Sequence, residues 1–407
     1  MTKEIYLDNA ATTKVLPAVV YDMLPYYTEE FGNPSSLYGF GQNAHKAMEN
    51  ARRRIAHHLC ARPQEIYFTS GGTESDNWAL KETAFAYADK GKHIITTAAE
   101  HHAITHSCAW LERHGFEVTY LDVDEFGMVD PDELTKALRP DTILVSIIFA
   151  NNEIGTIQPI KKLASITHEH DALFHTDAVQ AIANVMIHVA DLDIDLLSAS
   201  AHKFHGPKGV GFLYVKDGIR RNVFMDGGDQ ERKRRGGTEN VPGIMGMAKA
   251  LDICMEMFDE RIELETRLRD LLIDRILGEI PYTRLNGHPT ERLPGNANFS
   301  FEFIEGESLL FSLEQKGILA SSGSACASGS TDPSHVLLAI GLPHEIAHGS
   351  LRLSIGEDIT TDDINYTVDV VKKVVERLRS MSPLYEDFLS GKVDSQLKKT
   401  VDTADST

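Results

Sequence analysis

Two glycines and a threonine, Gly71, Gly72 and Thr73, open the segment GGTESDN directly after a strand-like run at residues 65–70. Free backbone N–H groups and a hydroxyl at the start of a helix are suited to binding an anion such as a phosphate. The same residues would serve equally well as an ordinary turn in which Thr73 caps the helix. No GK[ST] sequence follows, so the segment does not match a Walker motif.

Asp177 ends a second strand-like run, LFHTDA at residues 173–178. It is therefore expected at the carboxyl edge of a strand, where α/β sheets bind their ligands. A carboxylate at this edge could cap the following helix. It could also keep the ring nitrogen of a pyridoxal phosphate (PLP) cofactor protonated, which that cofactor requires when it acts as an electron sink.

Lys203 lies in SASAHKFHGPKGVG, residues 198–211, after a third strand-like run and among small residues. Most lysines are exposed, but one that forms a Schiff base is partly desolvated and has polar neighbours for a phosphate and a ring. Ser200 and His202 could be those neighbours. Lys208 is the rival lysine, although Pro207 and two glycines indicate that it lies in a turn.

Cys326 is the one cysteine whose surroundings predict reactivity. A free cysteine usually behaves as a small buried hydrophobe. The neighbours of Cys326 in SSGSACASGS are serine, glycine and alanine, which predicts an exposed loop and a reachable thiol. Cys60, Cys108 and Cys254 lie in helix-like segments. No CxxC pair is present, so we expect neither a disulfide framework nor a sequence-local zinc site.

A mainly parallel sheet is needed to position these side chains. Runs that are apolar on both faces alternate with helix-like stretches from about residue 64, which predicts a sheet covered on both sides. The strands are predicted at residues 65–70, 93–98, 118–123, 142–150, 173–178, 196–201 and 209–215.

The pattern changes after residue 243. It predicts a long helix at about 244–279, a strand at 296–303, a helix at about 307–316 and an amphipathic helix that contains Ile364 and Leu378. We therefore predict an α/β fold of two parts with a polar tail. The boundaries are a large domain over residues 13–258, a smaller α+β domain formed by residues 1–12 and 259–387, and a tail at 388–407.

The charge balance excludes one class of partner. The 407 residues include 40 lysines and arginines against 60 aspartates and glutamates, a net charge of −20, and a polyanion such as nucleic acid would be repelled. No apolar run approaches the length of a bilayer span, and the first residues lack the apolar stretch of a signal peptide. We expect a cytoplasmic protein that binds neither nucleic acid nor membrane.

The order of these features resembles the PLP-dependent enzymes of fold type I. The match becomes specific across nine segments, which resemble the motifs of the NifS/IscS-type cysteine desulfurases of the class V aminotransferase family. These segments are LDNAATT (7–13), GNPSSLYGFG (32–41), TSGGTESDN (69–77), AAEHHA (98–103), ANNEIGTIQP (150–159), HTDAVQ (175–180), SAHKFHGPKGVG (200–211), RRGGTENVPG (234–243) and SSGSACASGS (321–330).

The resemblance implies a PLP site and assigns it residues from most of these motifs. The implied contacts are covalent attachment at Lys203, the ring nitrogen at Asp177, the phenolic oxygen at Gln180, ring stacking and proton transfer at His101, a further contact at Asn152, and the phosphate at Gly72, Thr73, Ser200, His202 and, from the other subunit of a homodimer, Thr238.

The resemblance also implies the substrate and the nucleophile. Arg352 would grip the carboxylate of L-cysteine through a bidentate contact, with help from Asn33, and the released Lys203 would act as base. Cys326 would take the sulfur as a persulfide, and alanine would leave. The persulfide would be donated to an iron–sulfur scaffold protein of the IscU/NifU type. No metal is expected in catalysis, although Cys326 could face a cluster on that scaffold.

Two rival functions share some of these residues. A selenocysteine lyase or another fold type I enzyme would keep Lys203 and Asp177 but would not need the loop of Cys326. A non-catalytic sulfur-binding scaffold would predict loss of one of those two residues, and both are present. His102 and His106 are spaced as two metal ligands on a helix, but the sequence indicates no third ligand.

Overall fold

A twisted sheet of seven strands forms the centre of the molecule. The computed structural model describes residues 4–220, 222–322 and 333–397. The sheet has the order β2-β8-β7-β6-β5-β3-β4. Its strands are β2 Ile66–Thr69, β3 His93–Thr97, β4 Glu117–Leu121, β5 Thr142–Ser146, β6 Leu173–Asp177, β7 Leu196–Ser200 and β8 Gly211–Val215.

Strands β3 to β7 pair in parallel, and β8 is antiparallel to both of its neighbours. The predicted mainly parallel α/β fold is therefore confirmed. Strands β3, β5 and β7 are buried along their whole length, as expected for strands covered on both faces. The chain moves from β3 to β4 in one direction and from β5 onward in the other, which places a switch point between β3 and β5.

Helices cover both faces of this sheet and bury two apolar clusters against it. Helix α4 continues through a π-helical turn at Trp78–Glu82 into α5. The helices of this part are α1 Pro17–Met23, α2 Pro25–Thr28, α3 Gly39–His58, α4 Gly72–Asn77, α5 Thr83–Ala86, α6 His102–Glu112, α7 Pro131–Ala137, α8 Ile160–His168, α9 Gln230–Lys233 and α10 Val241–Glu256.

A second core surrounds a three-stranded antiparallel sheet of order β12-β10-β9. Ile5 and Leu7 at the amino terminus belong to this core, and β1 pairs in parallel with β11. The division into two domains at residues 12/13 and 258/259 stays a prediction. The remaining elements are β1 Ile5–Tyr6, α11 Phe258–Glu279, β9 Thr283–Asn286, β10 Asn296–Phe301, α12 Gly306–Glu314, β11 Ile318–Leu319, α13 His335–Ala339, α14 His344–His348, β12 Ser350–Ser354, α15 Thr361–Ser380 and α16 Pro383–Leu389.

Two elements differ from the sequence predictions. The long helix predicted at 244–279 is two helices, because Met257 leaves the helical conformation (φ −104°, ψ 18°) between them. The strand predicted at 142–150 ends at Ser146, and the apolar residues that follow lead into the cavity described below. Across the described ranges, no helix combines the length and the apolar character that a bilayer span requires.

A buried ion pair fastens the long helix α3 to the edge of the sheet. Arg52 donates to both carboxylate oxygens of Glu231 at 2.8 Å and to the carbonyl of Ile66 at 2.7 Å. Glu231 also accepts the backbone N–H of Phe68 at 2.9 Å. Both side chains are 2% exposed, so water could not solvate either charge if its partner were removed.

We predict that Arg52→Ala lowers the free energy of unfolding by about 3–5 kcal/mol, since Glu231 would be left buried without a cation. The control is Arg54→Ala on the same helix, which removes a partly exposed ion pair with Asp252 and should cost at most about 1 kcal/mol. Urea denaturation of the three proteins measures both changes. Equal losses for the two variants would contradict the assignment.

Candidate active site

A cavity of about 570 Å³ opens at the carboxyl edge of the parallel strands, beside the switch point. Strand β6 ends in Asp177, β7 ends in Ser200, and the loop after β3 leads to His101. The cavity collects ten of the residues predicted from the sequence. They are Gly72, Thr73, His101, Asn152, Asp177, Gln180, Ser200, His202, Lys203 and Arg352.

The glycine turn leaves no room for a side chain at one wall of the cavity. A Cβ atom at Gly72 would lie 2.5 Å from Cγ2 of Val179, which is well inside van der Waals contact. Gly71 adopts φ +150°, a conformation that other residues rarely take. The backbone at the start of α4 therefore borders the cavity directly, with Thr73 beside it and Ser200 opposite.

Lys203 ends a short 3₁₀ turn that follows β7. Its Nζ donates to the carbonyl oxygens of Ala10 (2.5 Å) and Ala11 (2.9 Å), which hold the amino group at the cavity wall. Gln180 donates to the same carbonyl of Ala10 at 2.8 Å. Lys208 also borders the cavity, but it lies in an exposed turn. Lys203 is thus the lysine that the fold fixes in place.

Asp177 is 4% exposed, and its Oδ1 accepts the N–H of Val179 at 2.9 Å. Burial raises the pKa of Asp177 to about 6, while the N–H of Val179 and the charge of Lys203 act in the opposite direction. Each of Asp177, Asp76 and His101 has one polar atom within 4.8 Å of the other two. Two ionised carboxylates at that separation would repel by about 3–4 kcal/mol at an effective dielectric constant near 20.

Both histidines predicted for the site have lowered pKa values. Burial, with the nearby charge of Lys203, lowers the pKa of His101 to about 4. Burial and the same lysine lower the pKa of His202 to about 4. His101 Nδ1 accepts the N–H of Ala103 at 3.1 Å, so the ring proton of the neutral imidazole is assigned to Nε2.

Two buried acids near the cavity were not predicted from the sequence. Glu100 accepts the N–H of Ile148 at 2.8 Å and the hydroxyl of Thr97 at 2.9 Å, and burial raises its pKa to about 8. Asp76 is 1% exposed and lines the cavity itself. In the sequence, Asp76 is marked only by its place in GGTESDN, three residues after Thr73. A polar residue on the surface could have the same spacing.

Arg352 projects from β12 and is 2% exposed. It donates to Asp8 Oδ1 at 2.8 Å and to the carbonyl oxygen of Asn152 at 3.1 Å. Asp8, in the first motif of the chain, was not predicted as a site residue. These two acceptors fix the orientation of the guanidinium at the cavity.

Cys326 lies outside the described residues, but the chain on either side of its segment contacts Arg352, which lines the cavity, and two buried acids, Glu153 and Glu100. Ser321 exchanges backbone hydrogen bonds with Arg352, at 2.6 and 3.3 Å. After the segment, the hydroxyl of Ser334 donates to the carboxylate of Glu153, and His335 is 2.8 Å from the carbonyl of Glu100. Burial raises the pKa of Glu153 to about 7, and the hydrogen bond from Ser334 and the charge of Arg352 oppose that rise.

The described structure does not bring two predicted residues to the cavity of their own chain. Asn33 is exposed in a turn, where its side chain accepts the N–H of Ser35 at 2.9 Å. Thr238 is exposed beside a separate cleft near Gly237 and Asn240. A role for Thr238 across a dimer stays a prediction, as does the assistance from Asn33.

A third histidine, His335, lies beside the pair His102 and His106. The rings of His102 and His106 stack at 5.2 Å, and the ring of His335 lies 4.7 Å from that of His102. Their nitrogen atoms do not converge as metal ligands do; among the described residues the only converging trio is Asp76, His101 and Asp177. We therefore do not assign a metal to His102.

The three described cysteines differ from one another. Cys108 and Cys254 are buried in α6 and α10, as a structural cysteine usually is. Cys60 was predicted to be helical, but it lies just beyond the end of α3, exposed and with φ +53°. It provides an exposed thiol outside the cavity.

The donors of the cavity fit PLP. The cofactor needs a lysine, a carboxylate for its ring nitrogen and an anion site for its phosphate. Lys203, Asp177 and the close approach allowed by Gly72 meet these three needs in one space. A metal held by Asp76, His101 and Asp177 would leave the fixed lysine and the glycine turn without a role.

We predict that the free energy of unfolding depends on pH through Glu100, and that Glu100→Gln removes this dependence. Because the folded pKa is raised to about 8, the folded state holds a proton that the unfolded state loses above about pH 4.5. This contribution is complete at low pH and is lost as pH rises through 8. From about pH 5.5 to 8.5 the wild type should lose roughly 2–4 kcal/mol relative to the variant.

Urea unfolding at the two pH values gives this difference directly. Glu169→Gln, at an exposed position, shows the effect of the same substitution on the surface. If the wild-type and Glu100→Gln stabilities ran parallel with pH, Glu100 would be ionised in the folded protein.

Comparisons with known proteins agree with this geometry. The profile of the family Aminotransferase class-V matches residues 5–367. The chain is 59% identical to "Cysteine desulfurase IscS" of Methanosarcina thermophila over 382 residues, which is 94% of either chain.

Solved structures agree as well. One titled "NIFS-LIKE PROTEIN" has a TM-score of 0.86 at 38% identity and covers 92% of this chain and 100% of its own. Another, "SspA in complex with cysteine", has a TM-score of 0.78 at 37% identity and covers 86% of this chain and 98% of its own. With its fixed lysine, buried aspartate and oriented arginine in one cavity, the chain belongs to the class V aminotransferase family and, within it, to the cysteine desulfurases of the NifS/IscS type.

Proposed function

We propose that this enzyme, a cysteine desulfurase, converts L-cysteine and the thiol of Cys326 into L-alanine and a persulfide on Cys326. In this reaction the carbon–sulfur bond of cysteine breaks, a sulfur–sulfur bond forms, and the thiol hydrogen balances the new C–H bond of alanine. The observation that carries the proposal is the convergence of Lys203, Asp177 and Arg352 on one cavity. The cysteine bound in a solved relative supports the choice of substrate.

PLP attached to Lys203 would supply an electron sink for the α-carbon of the amino acid. Asp177 would hold the ring nitrogen in its protonated form, and Gln180 would lie near the phenolic oxygen. The phosphate would be held by the chain at Gly72, Thr73, Ser200 and His202. His202 is suited to this as a neutral hydrogen-bonding group, since its pKa is low.

Arg352 would orient the substrate. Its guanidinium already faces the cavity from β12 and is kept in place by Asp8 and the carbonyl of Asn152. A planar guanidinium binds a carboxylate through two parallel hydrogen bonds, so it fixes direction as well as position. This contact would turn the α-carbon and the sulfur toward Lys203 and the end of the Cys326 segment.

Two groups of the chain could move protons near the substrate. Lys203 Nζ, once released, could take the α-proton, because the carbonyl oxygens of Ala10 and Ala11 hold it at the wall of the cavity. His101 is neutral at physiological pH, and with Nδ1 accepting the N–H of Ala103 its Nε2–H is a hydrogen-bond donor. The ring would take up a proton at Nδ1, after releasing the N–H of Ala103.

The position of the flanking residues supports Cys326 as the nucleophile. Ser321 pairs with Arg352, and Ser334 bonds to Glu153, so the chain leaves and re-enters beside the substrate arginine. The other described thiols are less suitable. Burial raises the pKa of Cys108 and brings that of Cys254 to about 12, which disfavours their thiolates.

The cofactor contact of Thr238 and the acceptor of the sulfur are further parts of this proposal. Thr238 is exposed on the outer side of the fold, where a second copy of the chain could bring it to the phosphate. The persulfide would pass to an iron–sulfur scaffold protein of the IscU/NifU type in the cytoplasm. Exposure of Thr238 supports the homodimer, and the resemblance to cysteine desulfurases supports the scaffold.

We predict that Lys203→Ala loses covalently bound PLP, because Nζ is the only amino group fixed at the cavity wall in the part of the chain described. Borohydride reduction followed by peptide mass analysis should place the cofactor on Lys203 in the wild type. Lys208→Ala is the matched control and should keep reducible PLP. A reduced label on Lys208 would overturn the assignment.

We predict that Cys326→Ser binds PLP and cysteine normally but forms alanine slower by orders of magnitude, since a hydroxyl is a far poorer nucleophile toward sulfur than a thiolate. Without reductant, cysteine should add one sulfur to the wild-type peptide that contains Cys326. Cys60→Ser, which removes the exposed thiol outside the cavity, should keep the wild-type rate. Alanine formation by Cys326→Ser at that rate would favour a lyase that releases sulfide.

A further inference from the structure

Asp76 is a buried acid in the cavity that the proposed chemistry does not use. It lies in α4, is 1% exposed and lines the cavity beside Asp177. One of its oxygens, Oδ1, has no hydrogen-bond partner among the described residues. A buried carboxylate in that state would cost far more free energy than a neutral carboxylic acid.

The surroundings of Asp76 contain acids and neutral groups. One oxygen of Asp76 lies within 4.8 Å of a carboxylate oxygen of Asp177. Glu100 adds a third carboxyl. Burial raises the pKa of Asp76 most, and the charges of Asp177 and Glu100 act in the same direction. His101 is neutral, so Lys203 is the cation that faces the group, and its charge acts on Asp177.

A buried histidine at the centre of the sheet lies beside Asp76. His175, from β6, lies 2.8 Å from the hydroxyl of Ser146 and 3.0 Å from that of Ser198. Its Nε2 lies 3.9 Å from Oδ1 of Asp76, which is beyond hydrogen-bond distance. His175 is fully buried and neutral, because burial lowers its pKa to about 3. The ring therefore offers Asp76 no positive charge.

The contacts of the two aspartates decide which of them holds a proton. Oδ1 of Asp76 is buried without a hydrogen bond that would stabilise a negative charge, so a proton is favoured on Asp76. Asp177 differs, because the N–H of Val179 stabilises its ionised form. Two adjacent carboxyls that share one proton divide it according to such contacts.

We propose that Asp76 is a positioning residue that holds one proton beside Asp177, so that the pair carries a single negative charge located on Asp177. A ring nitrogen bound there would meet one charge and not two. The proposal rests on the proposed PLP site and adds to it the charge state of its carboxylate pair. Asp76 touches the reacting atoms only through Asp177.

Infrared spectroscopy of the full-length protein as purified tests the protonation state directly. We compare wild type with Asp76→Asn at neutral pH, with ¹³C-labelled aspartate to separate these bands from that of Glu100. The variant should lose an aspartic-acid C=O band and keep all carboxylate bands. Loss of a carboxylate band would show that Asp76 is ionised and would overturn the proposal.

Affinity for PLP provides the second measurement. Asparagine resembles the neutral acid, so Asp76→Asn should bind PLP within about threefold of wild type. Asp76→Ala, which removes the buried carboxyl group and leaves a space beside Asp177, should bind about tenfold more weakly or worse. Asp177→Asn should bind much more weakly than Asp76→Asn; equal losses in these two would place the charge on Asp76 and overturn the proposal.

The two proposals fail in different ways. If the wild type itself did not bind PLP, the proposed function would be wrong, while the infrared comparison would still report on Asp76. If the wild type bound PLP and Asp76 proved ionised, the function would stand and only the role of Asp76 would fall.

Discussion

Burial of charge without water is the constraint on which the site depends. Each ionised group in the cavity must have a partner, or it must give up its charge. Arg352 has Asp8, and Lys203 has two backbone carbonyls. Asp177 keeps its charge beside the N–H of Val179 and near Lys203. Burial raises the pKa values of Glu100 and Glu153 and lowers that of His101, which favours the neutral form of each of these groups. The cavity thus presents few charges, each in a fixed place.

Strand pairing fixes the positions of the groups that line the cavity. Strands β6 and β7 pair in parallel, so their carboxyl ends bring Asp177 and Ser200 to one edge. Pairing between β10 and β12 places Arg352 opposite Asn298, whose amide donates to the carbonyl of Glu153 in the large sheet's loops. The two cores therefore meet near Arg352 through polar contacts. Hydrogen bonds fix the orientation of the groups they join better than apolar packing does, because a hydrogen bond weakens steeply when it is bent.

Much of this architecture could be predicted from the sequence. The apolar runs predicted the strand that ends at Asp177 and the strand before Lys203 to within a few residues. Buried parallel strands appear in a sequence as such continuous apolar runs. Helix α3 was not predicted, although it buries the pair of Arg52 and Glu231, because its small and charged residues hide the apolar stripe. The sequence predicted one long helix through Met257, because methionine is compatible with a helix and does not signal its end.

Several charged residues at or near the cavity that were not predicted are acids. Asp8, Asp76 and Glu100 resemble ordinary surface carboxyls in the sequence, and only the packed structure shows that they are buried or paired. Local sequence reports propensity, whereas the free energy of a charge depends on what surrounds it in space. The same limit applies to Glu153, which shows its importance only through its contact with Ser334.

The pairing of Asp8 with Arg352 joins residues 344 positions apart, and Asn9 donates to the carbonyl of Ser354 across a similar span. During synthesis the amino-terminal segment emerges first, but its partners are made near the end of translation. A nascent chain can assemble most of the large sheet early, yet the wall formed by residues 8–11 has nothing to close against until β12 leaves the ribosome. The binding cavity is thus completed late, and a truncated chain would expose a basic lysine loop and an unpaired aspartate in place of a finished pocket.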